Sequence, residues 1–334
     1  MKAVLLGPES APFANLLRSG LRGEWELLAF APMEPTTDLV DEFADAEVLI
    51  SCRYNHSFPP LPALRLLQVP ATGVNSISLT AVPAAAAVCN AFGHQIAVAE
   101  YVILGMLACT RDLLAVRRRF VLGKWHTGEG AIDNSPPTFG EVHGKTLCIV
   151  GLGRIGTEIA VRAKALGMRV IGCNRTVERS SPCIDEVRPL TQIVDLAARA
   201  DFLVLACALT EETRGIVNQQ VLAAMQPTSF IINVGRGALV VEEDLYVALK
   251  SRRVAGAVLD VWYRYPDQSD PHPPPSRFPF SELDNVIMTP HVSGWTDGML
   301  RRRWSEMAAN LNSLARGESL SNLIRAAVAQ RNTR

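Results

Sequence analysis

Three polar residues stand where long apolar runs stop. SFIINVGRG carries Arg236 between Gly235 and Gly237, AGAVLDVW carries Asp260, and NVIMTPHVSGW carries His291. A guanidinium can hold a carboxylate through two parallel hydrogen bonds and polarise a carbonyl beside it. An imidazole can give or take a proton as a carbonyl is reduced or a hydroxyl oxidised. Singly, each residue has an ordinary explanation: a surface or capping arginine, a structural histidine, a loop-capping acid. Their shared position at strand ends makes them a set, because ligands of open parallel sheets bind outside the carboxyl ends of the strands. A histidine in such a place often works with a carboxylate. The stretch LDVWYRYPDQ offers none at the expected point, only Tyr265 before Pro266 and Asp267 after it.

These residues need a sheet to hold them. From Lys145 the chain alternates candidate strands (TLCIV, RVIGC, FLVLAC, SFIINV, AGAVLD, NVIMT) with amphipathic segments, the pattern of a parallel sheet covered on both faces. TLCIV runs into GLGRIGTEIA, where Gly151, Gly153 and Gly156 have the G-x-G-x-x-G spacing, with Arg154 and Ile155 between the last two. The first glycine permits a tight turn, the second admits a pyrophosphate to the backbone, and the third packs helix on strand. The helix N-terminus then binds the phosphates. The second strand ends in Asn174, Arg175 and Thr176, without the acid that would bond an adenosine ribose 2′-hydroxyl. Arg175 can pair with a 2′-phosphate, so NADP(H) is favoured and NAD(H) possible; if Arg175 stacks on adenine or faces solvent, either cofactor serves. Together with a nicotinamide, Arg236 and His291 describe a 2-oxo acid and 2-hydroxy acid couple.

The first hundred residues read as a smaller α/β unit with strands in KAVLLG, WELLAF, EVLISC and RLLQVP and a helix in PFANLLRSGL. Residues 94–120 read as one long, largely apolar helix that joins two domains or forms a subunit interface. Residues 123–144 read as an irregular Gly- and Pro-rich loop, and PDQSDPHPPPSRFPF (266–280) as a surface loop serving as lid or wall. The 334 residues suffice for two domains. Lys plus Arg number 33, as do Asp plus Glu, which argues against a nucleic-acid or membrane-surface binder. The locally basic C-terminal end, from Arg301 onward, reads as a solvated helix face and tail. Seven cysteines without a CxxC spacing fit buried free thiols in a reducing compartment, and no metal site is expected. The start reads as a strand rather than a signal peptide, and no apolar run reaches membrane-spanning length, so a soluble cytoplasmic protein is expected.

The segments GKTLCIVGLGRIGTEIA, INVGRGALVVEEDLYVALKS, VAGAVLDVW and NVIMTPHVSGWT, in that order, resemble the D-isomer-specific 2-hydroxyacid dehydrogenase family. VAEYVILGMLACTRD and GKW also look like family signatures, and the match runs from about residue 68 onward. The resemblance implies an α/β chain: a doubly wound Rossmann domain (104–290) and a flavodoxin-like substrate domain built from both chain ends (1–103 and 291–334). It implies an active site in a cleft closed by domain motion, and a homodimer acting on a small-molecule 2-oxo or 2-hydroxy acid. Arg236 would bind the substrate carboxylate and carbonyl, and His291 would be the acid/base. Backbone N–H groups of Thr72, Gly73 and Val74 would lie near the carboxylate, and Asp260 would be a structural or nicotinamide-amide contact.

The chain departs from the family at three pocket positions. Tyr265 replaces the Glu that hydrogen-bonds the histidine and raises its pKa, His94 stands where many relatives carry Asn, and Trp295 where a small residue is common. A phenol orients the ring without favouring imidazolium as a carboxylate would, so His291 is expected to protonate less readily. Tyr54, Tyr263, Tyr265 and Trp295 suggest a bulky substrate or simple wall packing. Two other readings stay open: a dinucleotide-sensing regulatory or scaffold protein on this fold, and formate-like hydride abstraction without proton transfer, since the family's formate dehydrogenase branch also lacks the Glu.

Overall fold

The computed structural model describes residues 1–32, 34–35, 40–123, 138–177, 181–267 and 269–328. The chain divides into two compact units, Met1–His94 with Thr296–Arg334, and Gln95–Trp295. The expected cuts at 103/104 and 290/291 therefore shift to 94/95 and 295/296. The first shifts because residue 103 lies in mid-helix. The second shifts because Asp260 hydrogen-bonds the chain as far as Ser293.

The first unit holds a sheet of β1 (Lys2–Leu6), β2 (Glu26–Phe30), β3 (Val48–Ile50), β4 (Leu66–Gln68) and β5 (Ala87–Cys89) in the order β2-β1-β3-β4-β5, all parallel. This is the flavodoxin-like order, with helix α1 (Ala14–Gly20) between β1 and β2 and helix α2 (Val40–Phe43) between β2 and β3. A C-terminal strand, Leu323–Arg325, adds antiparallel to β5. The period-2 pattern splits β1 between two cores. Ala3 and Leu5 pack with Trp304, Met307 and Leu311 of the C-terminal helix Asp297–Arg316, whereas Val4 and Leu6 pack with Phe43, Tyr54 and Val69.

In the basic C-terminal stretch Arg301 and Arg316 are exposed, as expected of a solvated face, but Arg302, Arg303 and Arg325 are partly buried and engaged. Arg302 Nε donates to Gly93 O (2.9 Å) and Arg303 Nε to Phe92 O (2.9 Å). The Arg325 guanidinium donates to the carbonyls of Leu79, Val82, Pro83 and Ala86. These arginines clamp loops by bonding carbonyls that no strand or helix satisfies. Arg331 and Arg334 lie outside the described residues.

The second unit carries a seven-stranded parallel sheet of β6 (Thr146–Val150), β7 (Arg169–Asn174), β8 (Glu186–Pro189), β9 (Phe202–Leu205), β10 (Phe230–Asn233), β11 (Gly256–Leu259) and β12 (Val286–Met288). Its order, β8-β7-β6-β9-β10-β11-β12, is the doubly wound Rossmann order with one further strand. Every expected strand forms. β8 is additional: EVRP, at the sheet edge, is short, only partly buried and ends in proline, so it lacks the apolar run that marks the others. Leu147 and Ile149 face one core and Cys148 and Val150 the other, as both-face burial requires.

The expected single helix over 94–120 is two, α3 (Gln95–Thr110) and α4 (Leu113–Val121). Asp112 at φ +46° breaks them, a left-handed position that Asp tolerates better than most residues. Nor is the apolar surface of α3 buried all round, since Leu104 and Leu107 are exposed. Residues 124–137 of the expected loop lie outside the described residues. The 266–280 loop is pinned to its own unit: Glu242 accepts from Ser276 Oγ, Arg277 N and Arg277 Nε, each at 2.8 Å, and Phe280 is buried. No helix among the described residues is long and apolar enough to cross a membrane. All seven cysteines are free thiols.

One buried polar network sets the end of β4, where the 70–74 loop departs. Gln68 Nε2 donates to Asn90 O (3.2 Å), and Gln68 Oε1 accepts from Asn310 Nδ2 (3.0 Å). Asn310 also exchanges two hydrogen bonds with the backbone of Ser321. Asn310→Leu would orphan these partners and is expected to cost about 2–4 kcal/mol, read as a fall in the midpoint of equilibrium urea unfolding. An unchanged midpoint would refute the network's role.

Candidate active site

The phosphate loop follows β6. Gly151 has φ +96°, and a Cβ there would lie 2.6 Å from Cys207 Cα, so the chain beyond β9 presses on the turn. A Cβ on Gly156 would lie 2.1 Å from Gly151 O, which brings the helix down onto the turn. Gly153 differs: a Cβ there would meet nothing within 4 Å. The open glycine is the N-cap of α5 (Arg154–Ala165), has no side-chain cap, and is followed by no acidic residue in the first turn. An uncapped start of a three-turn helix beside open space fits a pyrophosphate. Arg154 is exposed and Ile155 partly buried at its rim. At the end of β7, Asn174 Nδ2 donates to Thr176 O (3.2 Å), while Arg175 and Thr176 are exposed.

Beyond β10 the chain makes a short turn that carries Arg236. Asn233, 2% exposed, clamps it: Oδ1 accepts from Gly235 N (3.1 Å) and Nδ2 donates to Arg236 O (2.9 Å). A Cβ on Gly237 would lie 2.3 Å from Trp262 O, so glycine lets this turn touch the segment after β11. Arg236 is exposed and donates to Gly235 O (2.7 Å).

Asp260, at the end of β11, is 0% exposed. Its Oδ1 accepts from Thr289 Oγ1 (2.6 Å) and Val292 N (2.8 Å), and its Oδ2 from Ser293 N (2.9 Å). Of the two roles expected for it, the geometry shows the structural one. A carboxyl group with no accessible surface does not touch a dinucleotide in this conformation, which corrects its place among the cofactor contacts. The loop it braces carries His291 at φ +59°, left-handed for a non-glycine residue. Tyr101 Oη (2.5 Å) also bonds Thr289 Oγ1, and Trp262 Nε1 donates to Thr289 O (2.9 Å).

Tyr265 lies beside His291, with ring centroids 5.6 Å apart at 58°. Its phenol oxygen accepts from Trp262 N (3.2 Å) rather than meeting the imidazole. Asp267 turns inward on its own loop, Oδ1 accepting from Ser269 N, Ser269 Oγ and Asp270 N. Among the described residues no carboxylate hydrogen-bonds the imidazole. Burial lowers the His291 pKa from its ordinary 6.5; the Asp260 charge opposes this and the Arg236 cation adds to it. Burial also raises the Tyr265 phenol. Arg236, His291 and Tyr265 are thus gathered at one end of the sheet.

In the first unit Thr72 and His94 meet, with Thr72 Oγ1 3.4 Å from His94 Nδ1 and 3.1 Å from Ala91 O. Gly73 is exposed and Val74 partly buried. Of the aromatic group, Tyr54 is a core residue at 3% exposure and Tyr263 packs against a core of the second unit, while Tyr265 and Trp295 are 43% and 54% exposed. The sequence reading missed Asn233, Thr289 and Tyr101. A polar residue closing an apolar strand, as in FIIN, was the available signal for the first.

The family model described as D-isomer specific 2-hydroxyacid dehydrogenase, NAD binding domain, matches residues 103–293. The chain belongs to this family. The D-3-phosphoglycerate dehydrogenase of Methanocaldococcus jannaschii is 34% identical over 69% of this chain, and the matched stretch spans only 41% of that relative's length. The glyoxylate reductase of Korarchaeum cryptofilum is 31% identical over 86% of this chain and 85% of its own. A solved family protein from Aeromonas salmonicida superposes with a TM-score of 0.78 at 25% identity, covering 97% of this chain and 98% of its own.

The His291 ring is expected to titrate below 6.5 by NMR, with Arg236→Gln moving the titration upward, because it removes a cation that disfavours imidazolium. A ring titrating at or above 6.5 would contradict the described surroundings.

Proposed function

We propose that this protein is an NADP(H)-preferring oxidoreductase that interconverts 2-oxo and 2-hydroxy acids, working as a 2-oxo acid reductase. One observation carries the reading: the chain gathers a cationic guanidinium and a titratable imidazole at the carboxyl end of the sheet that also leads into the open Gly153 turn. Gly151, Gly153, Arg154, Ile155 and Gly156 would hold the pyrophosphate, and Asn174, Arg175 and Thr176 the adenosine ribose. The exposed Arg175, in the place of an acid, supports the 2′-phosphate preference, and NAD(H) remains usable.

A bound nicotinamide supplies or accepts the hydride. Arg236 pairs with the substrate carboxylate and draws electron density from the adjoining carbonyl. The His291 imidazolium donates its proton to the carbonyl oxygen as that oxygen becomes a hydroxyl, and in the reverse direction the neutral ring takes it back. Tyr265 fixes the ring face without supplying charge. In this reading Trp295, in the same unit, is a further substrate contact. The exposed Tyr265 and Trp295 rings support an acid larger than glyoxylate.

Reduction needs the protonated ring, so its rate should fall as pH rises through the depressed His291 pKa. Tyr265→Glu places a carboxylate beside the ring and should move that fall about one unit or more toward higher pH. The check is kcat/KM against pH for NADPH and NADH with glyoxylate, hydroxypyruvate, phenylpyruvate and branched 2-oxo acids. Identical profiles for the two proteins would sink the role given to Tyr265. Tight dinucleotide binding with no turnover of any acid would favour the regulatory reading instead.

The protein is also proposed to be a homodimer. Leu104 and Leu107 of α3 and Leu113, Leu114, Phe120 and Val121 of α4 are exposed apolar groups, more than a free helical surface ordinarily carries. Sedimentation should give twice the chain mass of 36.3 kDa, and Leu113→Asp with Phe120→Asp should reduce it to one. A wild-type monomer at micromolar concentration would overturn the proposal.

A further inference from the structure

We propose that Tyr101 and Thr289 are positioning residues that act through Asp260 to set His291; the functional importance of this rests on the reading of His291 as acid/base. The relay is a directional chain of hydrogen bonds inside the nucleotide unit. Thr289 Oγ1 has one proton and gives it to Asp260 Oδ1 (2.6 Å). The 2.5 Å contact between Tyr101 Oη and Thr289 Oγ1 must then have the phenol as donor. Asp260 spends its remaining capacity on Val292 N and Ser293 N, the two amides that follow His291. Each link is partly or fully buried, where a missing partner is costly.

The sequence places Tyr101 by a simple device. Gly105 lies one helical turn further along α3, on the same face as Tyr101. A Cβ on Gly105 would sit 3.1 Å from Val258 Cγ2, so glycine lets α3 settle onto β11. That close approach puts the phenol within reach of the residue following β12.

Thr289→Val removes the hydroxyl at nearly constant volume, and Thr289→Ser restores it. Tyr101→Phe cuts only the outer link, and Gly105→Ala strains the helix approach without touching any relay group. The test uses the whole chain with ¹³C-labelled histidine, the His291 signal being assigned by its loss in His291→Asn; asparagine also tolerates the left-handed backbone. Arg236, Asp260 and Tyr265 are the charged or titratable groups bearing on the ring, and none of them is altered. Thr289→Val should displace the His291 signal and its titration, Thr289→Ser should return both to wild type, and Tyr101→Phe and Gly105→Ala should shift them in the same direction by less. NADPH affinity, read by fluorescence titration, should stay within about twofold, while kcat with the best turned-over acid of the panel falls about tenfold or more in Thr289→Val. Unchanged His291 signals in both Thr289→Val and Tyr101→Phe would overturn the proposal. So would equal disturbance of His291 in Thr289→Ser and Thr289→Val. Full activity in His291→Asn would refute the acid/base reading alone, because the NMR comparison decides positioning independently of turnover.

Discussion

The end of the nucleotide sheet is organised by one buried carboxyl group. Asp260 has no accessible surface and, among the described residues, no ion-pair partner, so its satisfaction rests on three neutral donors. Losing any of them would cost about 1–3 kcal/mol, more if the group is charged. A left-handed backbone at a residue like His291 costs about 1–2 kcal/mol. The first quantity, counted over the Val292 and Ser293 amides, exceeds the second. The loop therefore keeps the strained conformation, and the histidine is held where the strand ends.

The same arrangement explains why His291 is not protonated more readily. Asp260 is near enough to favour imidazolium, but its lone pairs are turned to backbone and hydroxyl donors and it does not touch the ring. Burial and the Arg236 cation act the other way and prevail. A Glu before Pro266 would add a negative charge beside the ring and favour imidazolium. Tyr265 cannot, because its oxygen is engaged by Trp262 N and its own ionisation is pushed up by burial. The arrangement therefore holds the imidazole in place while lowering its proton affinity.

Much of this was legible in the residues. Apolar runs bounded by polar ends marked β6, β7 and β9 to β12, because strands buried on both faces leave a continuous hydrophobic signature. β8 carried no such run and went unseen. The break between α3 and α4 was hidden for a different reason: Arg111-Asp112 contains neither Gly nor Pro, and only the backbone angle of Asp112 reveals it. The strand-end set of Arg236, Asp260 and His291 could be read from order and spacing. What spacing could not show was direction: Asp260 is turned inward, Asp267 folds on its own loop, and Tyr54 is buried in the core. Thr289 and Tyr101 meet across 188 residues of chain, a contact no local pattern encodes.

The glycines at the sheet's carboxyl end separate crowding from vacancy. Gly151, Gly156 and Gly237 are each pressed by backbone, from Cys207, Gly151 and Trp262 respectively, so their small size is used up by the protein itself. Packing alone accounts for them and would do so in a protein that bound nothing. Gly153 is different, because no protein atom occupies the space a side chain would take. Glycine loses more conformational freedom on folding than other residues, and a helix N-cap gains more from Ser, Thr, Asp or Asn. The proposal that dinucleotide phosphates bind at Gly153 draws on this openness, and the turn lies at the same end of the sheet as Arg236 and His291.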